Sequence, residues 1–408
     1  MTTVTTAAPV LETAATRSPS ARWLDWPHFD DEQIAAAAAV LRSGKVNYWT
    51  GEEGRAFERE FARACGAGFG IALANGTVAL DLALHVLGIG PGHEVVVTPR
   101  SFIASASTVA LCGARPVFAD LDPDSQNITP DTVRAVLSPR TKAIIAVHLA
   151  GWPCEMDGLR ELARTHGLKL IEDCAQAHGA RYRGRPVGSF GDLAAFSFCQ
   201  DKIMTTGGEG GMLTTGDAAL WRAAWSYKDH GKSYDAVYHR PHPQGFRWVH
   251  ESLGTNWRMT EVQAAIGRCQ LERLPAWLSL RRRNAALLAD GLRPLPLLRV
   301  PQTPPHVSHA WYKFYAFVRP DRLARGWTRE RIMAAIAGRG VPCFSGSCSE
   351  IYRERAFSER GLAPERPRRV AQSLGATSLM LLVHPMLLPE DMAYACRVVA
   401  DVCARATR

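Results

Sequence analysis

Between Phe57 and Thr215 the chain alternates short apolar segments with amphipathic ones, and this alternation limits the fold more than any single motif. Seven segments read as strands: Gly70–Ala74, Glu94–Thr98, Pro116–Ala119, Ala143–His148, Lys169–Glu172, Leu193–Phe198 and Gly211–Thr214. Phe57–Cys65, Thr77–Leu87, Ile103–Leu111, Thr129–Leu137 and Met156–Thr165 read as helices. Strands this short and apolar are buried on both faces, which requires helices above and below them. The expectation is an α/β fold with a mostly parallel seven-stranded sheet between helices.

Helical signals dominate Thr260–Ala289, and the proline-rich stretch Leu292–Pro305 reads as a hinge. Beyond it, Tyr312–Val318 and Leu379–Val383 read as strands, and Thr328–Ala337 and Pro389–Ala404 as helices, forming a smaller α+β C-terminal domain. The expected division is a disordered tail (1–20), a large domain (21–290) and a small domain (291–408). Met1–Ser20 is rich in Thr, Ala and Ser and lacks the basic start and apolar stretch of a secretory signal.

Bulk properties exclude several classes. No apolar run approaches the roughly 18 residues of a spanning helix, so no membrane role is expected. The ten cysteines contain no CxxC pair, which points to reduced thiols, a cytoplasmic setting and no metal site. A net charge of +9 suits either nucleic acid or a polyanionic small substrate. No nucleic-acid reader motif accompanies it, and Arg281, Arg282 and Arg283 read as a solvated helix face. The expected partners are small molecules, with no nucleic acid.

In an open parallel sheet, ligands bind beyond the carboxyl ends of the strands. Asn75–Gly76–Thr77 follows the first strand and opens a helix. Free backbone N–H groups and the positive helix end there favour an anion, although capping by Asn75 alone also accounts for the pattern. Asp173 follows the fifth strand, and Lys202 the sixth, just before a glycine-rich turn from Thr205 to Gly211. The lysine precedes the glycines, so this is not a nucleotide-binding P-loop. Pyridoxal phosphate (PLP) chemistry needs a lysine amine, an acid on the pyridine nitrogen, donors for the phosphate and a flat cover for the ring. Lys202, Asp173, the Asn75–Thr77 turn with Ser197, and Phe102 match these four needs.

The chain resembles the DegT-type sugar aminotransferases, a branch of the fold-type-I PLP enzymes, from about Trp26 to the C-terminus. The resemblance rests on NGTVALDLAL at 75–84, PVFADLDPD at 116–124, RTKAIIAVHLAG at 140–151, IEDCAQAHGA at 171–180, GSFGDLAAFSF at 188–198, the 202–211 segment and GTNWRMTEVQAAIG at 254–267. It implies that Lys202 is the Schiff-base lysine and proton carrier, and that Asp173 partners the pyridine nitrogen. It further implies that Gln176 lies near the ring oxygen and that Gly76, Thr77 and Ser197 hold the phosphate. Phe102 corresponds to the stacking aromatic. Asn256 corresponds to an asparagine reaching the phosphate of a neighbouring subunit, which implies a homodimer with shared active sites. The implied reaction moves an amino group from an amino-acid donor, glutamate, to a keto sugar carried on a nucleotide.

Departures from the family pattern bear on the substrate. His93 replaces the usual Asp and reads as structural. Pro99–Arg100–Ser101–Phe102 differs from the commoner Thr-Phe pairing, and SLMLLVHPML at 378–387 replaces a Leu-Pro-Leu ending. The 234–250 stretch carries His239, His242, Trp248 and His250, with a proline-broken spacing that suits a surface or substrate-facing loop better than a metal. A cyclitol ketone stays open as substrate. A PLP-dependent sugar dehydratase would have histidine in place of Lys202. A non-catalytic regulator would tolerate loss of Lys202 or Asp173, and a nicotinamide-dependent dehydrogenase would want Gly-x-Gly-x-x-Gly after the first strand.

Overall fold

The computed structural model describes residues 23–408; the expected N-terminal tail lies outside the described residues. Seven strands form the main sheet: β1 (Phe69–Leu73), β2 (Glu94–Val97), β3 (Arg115–Phe118), β4 (Thr141–Val147), β5 (Lys169–Asp173), β6 (Leu193–Ser197) and β7 (Gly211–Thr215). Their spatial order is β1-β7-β6-β5-β4-β2-β3. All pair in parallel except β7, which runs antiparallel to both neighbours. A parallel crossover needs about a dozen or more residues, usually a helix; the glycine-rich link from β6 holds no helix and turns straight back.

Helices cover both faces, as strands buried on both sides demand. Val95 and Val97 pack with helices α3 (Gly76–Val86) and α4 (Ala104–Leu111), while Val96 and Ile144 face α6 (Met156–His166). The expected helix at Thr129–Leu137 is shorter, α5 (Pro130–Arg134), started by a Thr129–Thr132 capping box. Two helices join those expected, α1 (Asp31–Ser43) and α7 (Ala218–Lys228), and the expected helix at Phe57–Cys65 starts earlier, as α2 (Glu53–Cys65). The segment Tyr234–Tyr238 is a short helix, α8.

Helix α9 (Glu261–Leu292) runs through Pro275 without ending. Its first half packs Leu274 and Trp277 against the main sheet's outer cluster, and its second half sends Leu288 and Leu292 into a separate core. That second core surrounds an antiparallel sheet of β8 (Leu298–Arg299), β9 (Phe314–Val318), β10 (Cys343–Phe344) and β11 (Ser378–Leu381), in the order β8-β9-β11-β10. Helices α10 (Arg329–Ala337) and α12 (Pro389–Ala406) cover it, and α11 (Arg369–Thr377) leads into β11. Trp23 packs into this second core. Among the described residues no helix is long and apolar enough to cross a membrane.

Candidate active site

The polar groups singled out from the sequence gather at the carboxyl ends of β1, β5 and β6. After β1, the Ala74 N–H donates to the Trp257 carbonyl (2.9 Å), and Asn75 caps α3 by accepting from the Val78 N–H (3.0 Å). That leaves the Gly76 and Thr77 N–H groups without intrahelical acceptors. Glycine is required at position 76: a Cβ there would lie 2.6 Å from Ser197 Cβ. At Gly211, where β7 begins, a Cβ would lie 2.3 Å from the Asn75 carbonyl oxygen. The helix start and the end of β6 therefore meet in a cradle of N–H groups and the Ser197 hydroxyl, at the positive end of a helix, a donor set that fits a phosphate.

Asp173 ends β5 with its side chain buried. One oxygen accepts from the Ser105 hydroxyl (2.7 Å) and the other from the Ala175 N–H (3.1 Å). No cation pairs with it among the described residues, so this carboxylate keeps acceptor capacity for a protonated ring nitrogen. Ser105 Oγ lies 3.1 Å from Ser101 Oγ. Gln176 accepts from the Ala150 N–H (2.8 Å), which leaves its amide nitrogen to donate elsewhere. Phe102 is 66% exposed, its ring uncovered.

Lys202 is mostly buried, with Nζ 4.0 Å from Asp201 Oδ1 and 5.2 Å from the Tyr312 ring centre. Its carbonyl accepts from the Trp26 indole (2.8 Å). Asp201 also accepts from the Tyr312 hydroxyl and lies 3.9 Å from Lys313 Nζ. Burial pushes the Lys313 amine down to about 8, with Arg281 and Lys202 acting the same way against Asp201. An amine, an acid with no counter-cation among the described residues and a glycine-lined anion cradle thus follow the carboxyl ends of β6, β5 and β1, and this set fits the cofactor expected from the sequence.

The structure does not bring Asn256 into this group. Its side chain is exposed on a segment that bridges to Asp229, and no hydrogen bond joins it to Gly76, Thr77 or Ser197 among the described residues. The solvated reading of the arginine run fails at Arg281. This residue is fully buried, stacks on Trp26 at 4.9 Å and donates to the Trp311 and Tyr312 carbonyls (3.4 Å each). Only the tertiary fold lays the N-terminal tryptophan over that helix face; Arg282 is exposed.

His93 accepts from the Gly90 N–H (3.2 Å), a turn contact. His239, His242 and His250 join no cluster of three potential metal ligands among the described residues. His148, Glu172 and Cys174 do form such a cluster, buried beneath the sheet ends. Glu172 is already saturated there by His148 and by the N–H groups of Gly188, Phe190 and Gly191. Burial raises its carboxyl pKa, and these contacts outweigh that and hold it below the usual range.

Sequence reasoning missed Ser105, Asp201, Tyr312, Lys313 and Arg100. Ser101 and Ser105, four residues apart, gave a weak signal for the first; Asp201 adjoins Lys202 and Arg100 adjoins Ser101, but their roles depend on partners from distant segments, as do Tyr312 and Lys313.

The chain matches the DegT/DnrJ/EryC1/StrS aminotransferase family over residues 27–400. It is 47% identical to the GDP-perosamine synthase of Caulobacter vibrioides over 329 residues, 76% of this chain and 84% of that protein. It is 37% identical to the dTDP-3-amino-3,4,6-trideoxy-alpha-D-glucose transaminase of Streptomyces venezuelae over 356 residues, 87% of this chain and 88% of that protein. An aminotransferase from Psychrobacter cryohalolentis superposes with a TM-score of 0.92 at 53% identity, covering 93% of this chain and 98% of that one.

Proposed function

Because the chain belongs to the DegT/DnrJ/EryC1/StrS aminotransferase family, we propose that it moves an amino group from L-glutamate to a nucleotide-linked keto sugar, with PLP held at Lys202. Relatives named for a dTDP-linked amino sugar and for GDP-perosamine support a nucleotide-linked acceptor. The single observation that carries the reading is the buried Asp173 carboxylate, which among the described residues has hydrogen-bond donors but no cation partner, one strand from the segment leading to Lys202.

When bound, the cofactor supplies the carbonyl that exchanges for an amine and a ring that accepts electrons. Lys202 holds it covalently and, once released, its Nζ takes and returns the proton at the reacting carbon. Asp173 keeps the ring nitrogen protonated, and Ser105 orients Asp173. The N–H groups of Gly76 and Thr77 and the Ser197 hydroxyl bind the phosphate. Phe102 covers the ring, and Gln176 donates toward its oxygen substituent. Asn256, exposed on its own protomer, reaches the phosphate of a partner subunit in a cytoplasmic homodimer.

Purified protein supplied with PLP should absorb in the imine region and yield a borohydride-fixed adduct at Lys202. Lys202→Ala should lose both, together with turnover. Full activity in that variant sinks the proposal. A panel of nucleotide keto sugars with L-glutamate, read by mass spectrometry, identifies the acceptor.

A further inference from the structure

Where the sequence departs from the family at Pro99–Arg100–Ser101–Phe102, the structure opens a cleft of about 610 Å³ between the loop after β2 and the loop after β10. Arg100 forms its deep end and is fully buried. Its Nε donates to Gln126 (2.9 Å) and its Nη1 to the Ser347 carbonyl (3.2 Å), while the buried Nη2 has no hydrogen-bond partner among the described residues. No carboxylate pairs with this guanidinium among the described residues. A buried charge left so is costly unless an opposite charge arrives.

Arg329 lines the same cleft. It donates to the Ser378 carbonyl (3.1 Å) and pairs with Glu330 (2.9 Å). Burial lowers the Arg100 pKa and the nearby charge of Arg329 adds to that, against Tyr315, whose ring centre lies 5.4 Å from the guanidinium, and Cys348, so the two cations repel. Of the acidic residues in the lining, Glu350 is occupied by Arg353 (3.2 Å) and the Tyr352 hydroxyl (2.7 Å), and Glu354 is exposed. The fully buried part of the lining, which Arg100 supplies, is therefore cationic.

The cleft adjoins the candidate active site. The Ser101 N–H donates to the Cys348 carbonyl on the cleft loop (3.1 Å). Ser101 Oγ then leads to Ser105 (3.1 Å) and on to Asp173 (2.7 Å). We propose that Arg100 and Arg329 form an oxyanion site for a carboxylate or phosphate carried by one of the two reactants. Calling the ligand a reactant rests on the aminotransferase reading; the anion site itself does not.

The test uses the PLP-loaded full chain. Calorimetry measures binding of glutarate, standing in for a donor dicarboxylate, and of inorganic phosphate, standing in for an acceptor's phosphate. Absorbance follows single-turnover amino transfer from L-glutamate. Losing a charge-assisted contact predicts about tenfold or more weakening in Arg100→Gln and in Arg329→Gln, with the affinity partly kept in Arg100→Lys. Loss confined to glutarate and L-glutamate assigns the donor's carboxylate, and loss confined to phosphate assigns the acceptor. Arg329→Gln alters a site nearer the surface and keeps the test decisive if Arg100→Gln misfolds. Should Arg329→Gln match the wild type in all three measurements, the proposal is overturned. A missing imine band in the wild type sinks the aminotransferase reading instead, and leaves the calorimetry to judge the anion site.

Discussion

Ser105 donates its hydroxyl hydrogen to Asp173 Oδ2 at 2.7 Å, joining the start of α4 to the end of β5. Among the described residues, the only other donor to this carboxylate is the Ala175 N–H. In the proposed reaction Ser105 acts by positioning Asp173. Ser105→Ala removes a hydrogen bond to a charged group, worth about 1.5–3 kcal/mol. The expected result is a fall of roughly tenfold or more in single-turnover rate, with cofactor retained and the pH profile of its absorbance displaced. An unchanged rate and profile would remove Ser105 from the relay, as an unchanged rate in Asp173→Asn would remove Asp173.

Gly76→Ala places a methyl group 2.6 Å from Ser197 Cβ, closer than carbon atoms approach. Overpacking of this kind costs about 1–3 kcal/mol, and the relief open to the chain is to draw α3 away from β6. PLP affinity, measured by absorbance titration, should weaken about tenfold or more while circular dichroism stays near wild type. Wild-type affinity would show that the cradle is not where the phosphate sits.

Glu58 and Lys228 form a buried ion pair at 2.7 Å, with Glu58 also accepting from the Ala72 N–H (2.9 Å) and the Tyr48 hydroxyl (3.2 Å). Lys228 Nζ lies 4.0 Å from the Tyr48 ring centre. Removing one partner strands a charge in the core, so Glu58→Ala should lose about 3–5 kcal/mol in urea unfolding. Pairing Glu58→Gln with Lys228→Met should cost less than Glu58→Ala alone; equal losses would show that the charge is not what matters.

Lys313 loses its proton at about 8 in the folded chain, against an ordinary value of 10.5, chiefly because it is buried. Between these values the unfolded chain binds more protons than the folded one, so this group's contribution to stability rises with pH across that window and is least favourable below it. The stability of the wild type minus that of Lys313→Met should therefore climb from about pH 8 to about pH 10. A flat difference would show that Lys313 titrates normally.

The strand and helix alternation was legible because it follows from side-chain period and burial, which are local properties. Val95, Val96 and Val97 have to be covered on both faces whatever surrounds them. Lys202, Asp173 and the Gly76 turn were legible for a related reason: each lies just past an apolar strand, where a parallel sheet presents ligand groups. Helix α1 was as readable as these, with Asp30 as its cap and Gly44 as its stop, and lay outside the expected elements.

What the linear chain determined by itself, then, is the layered α/β architecture and the strand ends at which an amine, an acid and an anion cradle stand. The tertiary structure alone decided that Arg281 is buried under Trp26 instead of solvated, that Ser105 braces Asp173, and that Tyr312 and Lys313 flank Asp201 beside Lys202. It also decided that Arg100 faces Arg329 across a cleft. These pairings join segments far apart in the chain. Whether a charge is solvated, paired or stranded depends on which distant surface folds over it, and no local pattern encodes that.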